Sequence, residues 1–407
     1  MSRAVVTGIG VVAPTGVGAG RHWESVRANR LRVTALPEGR AATYGVSLAG
    51  QVPQFTPDEH VDERLLVQTD RWTWFSLAAV RMALDDSGFD PAVRDPYSVA
   101  VSLAAASGGN EFGQREMTSL YTQGPKAVTA YQSIAWFYAA STGQASIRHG
   151  LKGSSSVLVT EGAGGLDSIG HARRVIRRGT GSVLAGGTEA GLSPYALACQ
   201  AAAGRMSPKT APTEAYTPFD VRASGFVPGE GGAVLLIEDD ETTGPARRVY
   251  GEIAGYAATH DGETDTRSPA QFARAMRLAL ADAGVGPGDV DLVIADAAGD
   301  AIRDRMEIEA LQAVFGDREI PVPVAAPQAL VGRLSVGGSA LAAATALLCI
   351  RDGLLPAVGN LRHPVHAPGL ELVRTPRSAP VGTVLVNARG LGGFNSCLVL
   401  RRYHPEG

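Results

Sequence analysis

Apolar positions in this chain come in two spacings, and these spacings assign most of its secondary structure. Short runs of apolar and small residues read as strands: AVVTGIGVV near the start, SVAVSLA (Ser98 to Ala104) and SSSVLV (Ser154 to Val159), the last expected to be buried. Longer stretches carry apolar residues every three or four positions. Residues 69–88 (TDRWTWFSLAAVRMALDDSG) predict an amphipathic helix with Asp70 near its start and Gly88 after its end. A helical region from Asn110 to about Tyr121 follows, then an aromatic, largely helical segment over 130–150. LDSIGHARRVIRR predicts a further helix, with Leu166, Ile169, Val175 and Ile176 on one side and arginines on the other.

A second series of the same kind begins at Arg247–Asp261. It continues with a helix at Pro269–Ala283, a strand at Asp291–Ala295 and a helix near Asp304–Phe315. A small-residue helix at Ser339–Ile350 and strands at Gly382–Asn387 and Ser396–Leu400 complete it. Residues 205–216 predict a surface loop, and no stretch has the composition of an interdomain linker. Two successive strand–helix series predict a duplicated α/β architecture, with halves at 1–248 and 249–407.

Composition narrows function mainly by exclusion. The 407 residues suffice for a large core or two fused halves, and a formal net charge of −3 leaves no electrostatic footprint for nucleic acid or an anionic membrane. No segment approaches ~18 consecutive apolar residues, and the first strand is too short and glycine-broken for a signal peptide. Cys199, Cys349 and Cys397 are far apart, odd in number and in apolar surroundings, which predicts buried, reduced thiols in a cytoplasmic protein.

Candidate chemistry centres on Thr160 to Gly170, TEGAGGLDSIG. A sharp strand-to-helix elbow suits a nucleophile, because the helix N-terminus offers unsatisfied N–H groups and the positive end of its dipole. Here the elbow holds Glu161, Gly162, Ala163, Gly164 and Gly165, with no thiol or hydroxyl at its tip. Ser168 lies within the following helix, pointing the wrong way. Gly8-x-Gly10-x-x-Ala13 has the outline of a dinucleotide fingerprint, but Pro14 opposes the helix it requires, so no cofactor is expected. His363 and His366 flank Pro364 in what reads as a surface loop, so no metal site is expected. Arg173, Arg174, Arg177 and Arg178 share a helix face, read first as solvated.

The elbow, the block PFDVRASGFVPGEG and the Asp304-to-Glu307 stretch DRME together resemble the β-ketoacyl synthases of the thiolase superfamily. The resemblance runs from about residue 3 to 401 and implies two pseudo-symmetric thiolase-like α/β halves in a five-layered αβαβα architecture. Active synthases place a catalytic Cys at the elbow tip and take two His from A-H-G-S/T-G-T and K-x-x-V-G-H. In the register fixed by Gly165–Ser168, the Cys position is Gly162. The first His position is Asp296, and QALVGR puts Gln328 and Arg333 at the Lys and second His positions. A condensation that needs a thiolate and two imidazoles loses all three. Asp296 and Arg333 are expected to face each other, with Glu161 the competing partner, because either charge buried alone is costly.

Within the family, GAGGLD, GGNEFGQREM, IADAAG and VGRLSVGG resemble most the chain-length factors, the ketosynthase beta subunits of bacterial type II polyketide synthases, which usually carry Q-A-G-G-L-D at the elbow. That implies a non-catalytic subunit in a heterodimer with an active ketosynthase, walling the tunnel in which a polyketide grows. An acyl carrier protein would then deliver the growing chain, and the arginine cluster is a candidate contact for carrier or partner. Asn110, Gly113 and Met117, spaced i, i+3, i+7 and joined by Ala106 and Leu120, would line the tunnel's far end. With no aromatic among the three, long chains are expected. Two other classes stay open: a superfamily acyltransferase or decarboxylase with atypical residues, and a stand-alone acyl-binding scaffold.

Overall fold

The computed structural model describes residues 2–37, 45–243, 247–262 and 268–405. Its main sheet has twelve strands among the described residues. The first half contributes β1 (Ala4–Ala13), β2 (Val99–Ala104), β3 (Ser155–Leu158), β4 (Ser182–Ala190) and β5 (Glu230–Asp239). From the second come β6 (Gly251–His260), β7 (Leu292–Ile294), β8 (Val322–Ala325), β9 (Leu370–Leu372), β10 (Thr383–Arg389) and β11 (Phe394–Arg401). The order is β9-β8-β7-β10-β11-β6-β1-β5-β4-β2-β3, with the short strand Gly16–Val17 beside β1.

The two halves repeat one pattern. Moving outward from β1, pairing runs antiparallel to β5 and to β4, then parallel to β2 and β3. Moving outward from β6, it runs antiparallel to β11 and to β10, then parallel to β7 and β8. The halves join where Val5 and Val6 of β1 pair with Glu252 and Gly251 of β6.

Helices complete the layers. α1 (Arg71–Ser87) covers the outer face of the first half. α2 (Asn110–Gln123), α3 (Gln132–Ala135) and α4 (Ala140–His149) follow β2. α5 (Gly164–Ile176) packs between the halves, α6 (Pro194–Ala202) follows β4, and α7 (Ala270–Asp282) and α8 (Ala301–Phe315) cover the second half. α9 (Val336–Asp352) lies against α5 and is apolar almost all round, as a helix enclosed on every side must be. The strands show the period of two that such layering requires. Leu235 and Ile237 of β5 join the central core around α5 and α9, whereas Val234 and Leu236 join the core under α1.

Local signals explain several boundaries. Asp70 caps α1 by accepting from Trp72 N at 3.2 Å, and Gly88 ends it in the left-handed region at φ 65°. Gly8 and Gly10 serve packing: a Cβ at either would run into the backbone of Ala83 or Ala79 in α1. Three expectations need correction. The strand SSSVLV is not buried in this chain. β3 is an edge strand bonded only to β2, it is partly exposed, and Val159 after it is 47 % exposed. Cys199 is exposed on α6, whereas Cys349 and Cys397 are buried. Ala106 precedes α2 and shares no helix face with Asn110, because that helix begins only at Asn110.

Candidate functional site

The elbow forms between β3 and α5, and the G-L-D-S run after it is structural. Gly165 is the point of closest approach of α5 to α9, since a Cβ there would stand 2.5 Å from Val336 O and from Ala340 N. Leu166 is fully buried. Asp167 bonds Thr160 Oγ1 at the elbow, Tyr256 Oη at 2.7 Å and Ser396 Oγ, lacing the elbow to β6 and β11. Ser168 Oγ donates to Ser102 O at 2.5 Å and accepts from Gly186 N at 2.9 Å, so it is held against the first-half sheet.

Around the elbow tip the backbone keeps a constrained shape. Glu161, Ala297 and Ser335 all adopt positive φ, near 50°. Such conformations cost on the order of 1–3 kcal/mol each for non-glycine residues and gather at functional sites. Surrounding bonds hold them. Glu161 accepts from Ser335 Oγ at 3.0 Å and from Leu391 N at 2.7 Å. Glu307 on α8 accepts from Asp296 N and Ala297 N, each at 2.8 Å. Asp304 accepts from Gly299 N and Phe219 N, each at 2.9 Å. Burial pushes Asp304 well above the usual carboxylate range, and burial with the Asp296 charge pushes Glu307 up to about 7. In the sequence Asp304 and Glu307 serve only as a register mark, and no pattern announces that their carboxylates carry this loop.

Gly162, Asp296, Gln328 and Arg333, which the resemblance sets at the synthases' Cys, His, Lys and second His positions, come together here. Arg333 faces Asp296 with guanidinium–carboxylate distances of 3.3 and 3.4 Å and also donates to Arg389 O at 2.8 Å. Asp296 accepts in addition from Arg389 N at 3.0 Å. Arg389 is the member that the sequence reading missed; its own guanidinium pairs with Asp261 at 3.0 Å. Burial works against the charge of Arg333, but Asp296 and Glu161 outweigh it and hold the guanidinium firmly protonated. Gln328 donates to the carbonyls of Ala295 and Asp296. A Cβ at Gly162 would lie 2.6 Å from Arg389 O and 3.2 Å from Arg333 Nη2, so arginine and backbone fill the space that a side chain at the elbow tip would need. Beside Gly162 and Gln328 the remaining cavity is about 30 Å³, room for water and not for an acyl chain. Asp296, Arg333 and Arg389 also line an open cavity of about 400 Å³, together with Arg205 and Arg303.

A third cavity, of about 230 Å³, starts beside Glu161, Arg333 and Ser335 and runs past Phe226, Leu391 and Cys199 to Asn110. The structure does not gather the three tunnel candidates on one wall. Asn110 lines this cavity, Gly113 is buried with its Cα facing the Trp136 ring, and Met117 is 46 % exposed on the surface. Trp136 is thus the aromatic that abuts this helix, supplied by the segment after α3.

The arginine cluster divides. Arg173 is buried, ion-paired with Asp282 at 2.6 Å and bonded to Ala254 O at 2.5 Å, so it is no surface contact. Its position on α5 turns it toward β6, while Arg174, Arg177 and Arg178 stay exposed at the helix C-terminus, where the dipole favours cations. His363 and His366 are exposed. Among the described residues no helix is long and apolar enough to cross a membrane.

Comparison with known proteins agrees with this geometry. The family model described as beta-ketoacyl synthase, N-terminal domain, matches residues 1–242, and the C-terminal domain of the same family matches residues 250–362. The tetracenomycin polyketide synthase ketoacyl synthase beta subunit of Streptomyces glaucescens is 50% identical over 403 residues, covering 98% of each chain. The actinorhodin polyketide putative beta-ketoacyl synthase 2 of Streptomyces coelicolor is 46% identical over 404 residues, covering 98% of this chain and 99% of the other. Among solved structures, the ishigamide ketosynthase/chain length factor aligns with TM-score 0.92 at 26% identity, over 99% of this chain and 100% of that one. A type II polyketide synthase acyl-carrier protein in complex with its ketosynthase bound to the hexaketide aligns with TM-score 0.89 at 27% identity, over 99% and 100%. A synthase scaffold whose elbow tip faces an Asp296–Arg333 pair, and relatives that share its full length, lead to one conclusion: the chain belongs to the β-ketoacyl synthase family, among the ketosynthase beta subunits, or chain-length factors, of type II polyketide synthases.

Proposed function

We propose that this chain condenses nothing itself and works as the chain-length-determining partner of an active ketosynthase, in the cytoplasm, within a type II polyketide synthase favouring long chains. The observation that carries the reading is the centre. Its strained backbone is that of a working site, yet Gly162, Asp296 and Arg333 offer neither a nucleophile nor an imidazole. A carboxylate at Asp296 would oppose a developing oxyanion, and the space beside Gly162 at the elbow tip admits only water. The chain keeps the scaffold because a heterodimer needs its surface. The names of its relatives and neighbours, a ketoacyl synthase beta subunit, a ketosynthase/chain length factor and a carrier protein bound to its ketosynthase, support the same partners here. Arg174, Arg177 and Arg178 would offer an acidic carrier or the partner subunit a contact.

On this reading α2 sets the space open to the growing chain, Asn110 from inside the cavity, Gly113 through Trp136, and Met117 from the face left for the partner. The test is reconstitution with a ketosynthase and malonyl-loaded carrier, with products sized by mass spectrometry. Asn110→Phe and Met117→Phe combined with Gly113→Thr should shorten the product by one or more two-carbon units, since overpacking a wall raises the cost of each added group. An unchanged length in an intact, active complex would place the gate elsewhere. Acyl transfer from a carrier thioester onto Cys199, the cysteine on the cavity wall, would favour an atypical acyltransferase instead.

A further inference from the structure

The segment that leads from β2 into α2 is held by two buried carboxylates that come from other elements. Glu189, at the end of β4, accepts from Ala106 N and Ser107 N with one oxygen, at 3.2 Å each. Asp70 divides its two oxygens: one accepts from Trp72 N at 3.2 Å and caps α1, the other accepts from Phe112 N at 2.7 Å in the first turn of α2. Both residues are only 3 % exposed. The opening amides of a helix have no partner within it, so an outside acceptor decides where the first turn sits. A charged acceptor makes that bond short and strong, and the bond to Phe112 has the expected length. Asn110 lies between the two anchors, two residues before Phe112 and three after Ser107.

We propose that Asp70 is a positioning residue for product length: its carboxylate ties the start of α2 to the start of α1, and thereby sets where Asn110 and Met117 stand, while Glu189 holds the exit of β2. Neither carboxylate touches a substrate. The inference rests on the reading of α2 given above. Sliding or tilting α2 would require breaking the buried bond at Phe112, at the cost of an unsatisfied amide.

The experiment compares Asp70→Ser, Asp70→Ala, Leu77→Ala and Asn110→Phe in the complex reconstituted with its ketosynthase and malonyl-loaded carrier. Complex formation is followed by light scattering, stability by Tm, and product length by mass spectrometry. Serine is a good N-cap and keeps the bond to Trp72 N, but its hydroxyl cannot also reach Phe112. Asp70→Ser is therefore expected to lower Tm less than Asp70→Ala does, while the ratio of the main product to its neighbours in length falls about tenfold, the scale of one lost charge-assisted bond. Asp70→Ala loses both caps and should lower the ratio and Tm together. Leu77→Ala loosens the core under α1 and makes no hydrogen bond to α2; it should lower Tm and leave the ratio alone. A wild-type ratio in Asp70→Ser, or a ratio disturbed as much by Leu77→Ala, overturns the proposal. If Asn110→Phe also fails to change chain length, the reading of α2 falls with it; if Asn110→Phe shortens the product, only the role of Asp70 is refuted.

Discussion

Arg333 and Asp296 each neutralise a charge that the other would leave buried. The pair is 16 % and 10 % exposed at the side chains, and Asp296 would keep only the Arg389 amide if the guanidinium were removed. Arg333→Ala should therefore destabilise the subunit by ~3 kcal/mol, the lower end for breaking a buried ion pair. Denaturant unfolding of the purified complex measures it; a loss below ~1 kcal/mol would mean that solvent carries the charge as it does for surface pairs. Gly162 gives the second residue-scale expectation. Its missing side chain is enforced by the Arg389 carbonyl 2.6 Å from where a Cβ would stand, so Gly162→Gln must displace the end of β10 or Arg333. A cost of about 1–3 kcal/mol follows from overpacking, read as a lowered Tm. A neutral substitution would show that residues 389–391 yield freely.

At the scale of elements, β3 and the turn after α3 are the pieces that this chain leaves unfinished. Among the described residues one edge of β3 is bonded to β2 and the other is open, an arrangement that folded proteins normally cover. Trp136 is 48 % exposed, Phe137 57 % and Tyr138 36 %. The two features adjoin: Leu158 O accepts from Ala105 N at 3.1 Å, and Trp136 O accepts from Gly109 N at 3.4 Å, so both flank the same few residues. Contiguous exposed aromatics beside an open sheet edge mark an interface. Phe137→Asp and Val159→Asp should each weaken association with the ketosynthase by ~2 kcal/mol or more, the range of interface hot spots. Titration calorimetry of the two subunits would show it, and near-wild-type affinity in both variants would place the interface on another face.

For the whole molecule, buried carboxylates make stability depend on pH. Burial pushes Glu189 from its ordinary value of 4.5 up to about 7, although the amides of Ala106, Ser107 and Ala190 pull it down, and pushes Asp70 from 3.8 up to about 6. A carboxyl whose folded value is raised binds its proton more tightly in the folded state. Its contribution is fully present below the unfolded value and is lost as pH rises through the folded one. His22 acts in the opposite sense: burial pushes it from 6.5 down to about 4, so its contribution is present above 6.5 and lost as pH falls. Glu189→Gln removes one of the acidic terms. The stability of wild type relative to this variant should fall between pH 4.5 and about 7 and level off above that. Unfolding both proteins at several pH values tests this, and parallel curves would show that Glu189 does not change its protonation on folding.

The duplication was legible from spacing alone, because strands and helices recur in the same succession and a period of two or 3.6 survives any arrangement of neighbours. The resemblance also placed Gly162, Asp296 and Arg333 at the positions where active synthases carry their Cys and two His, a reading that needs only the register of the motifs. What sequence could not decide is which surfaces meet. SSSVLV has the composition of a buried strand, yet its place at the end of the sheet leaves it covered on one side only, and strand order is a matter of long-range pairing. Arg173 and Arg174 are adjacent arginines on one helix, but only the first turns inward to Asp282, a partner 109 residues away. Asp70 is read from sequence as the cap of α1, and its second bond, to Phe112, exists only because the fold brings two helix starts together. Local pattern sets what each segment can form; the packing of distant segments assigns each polar group its partner, because a buried charge takes whichever partner the fold delivers.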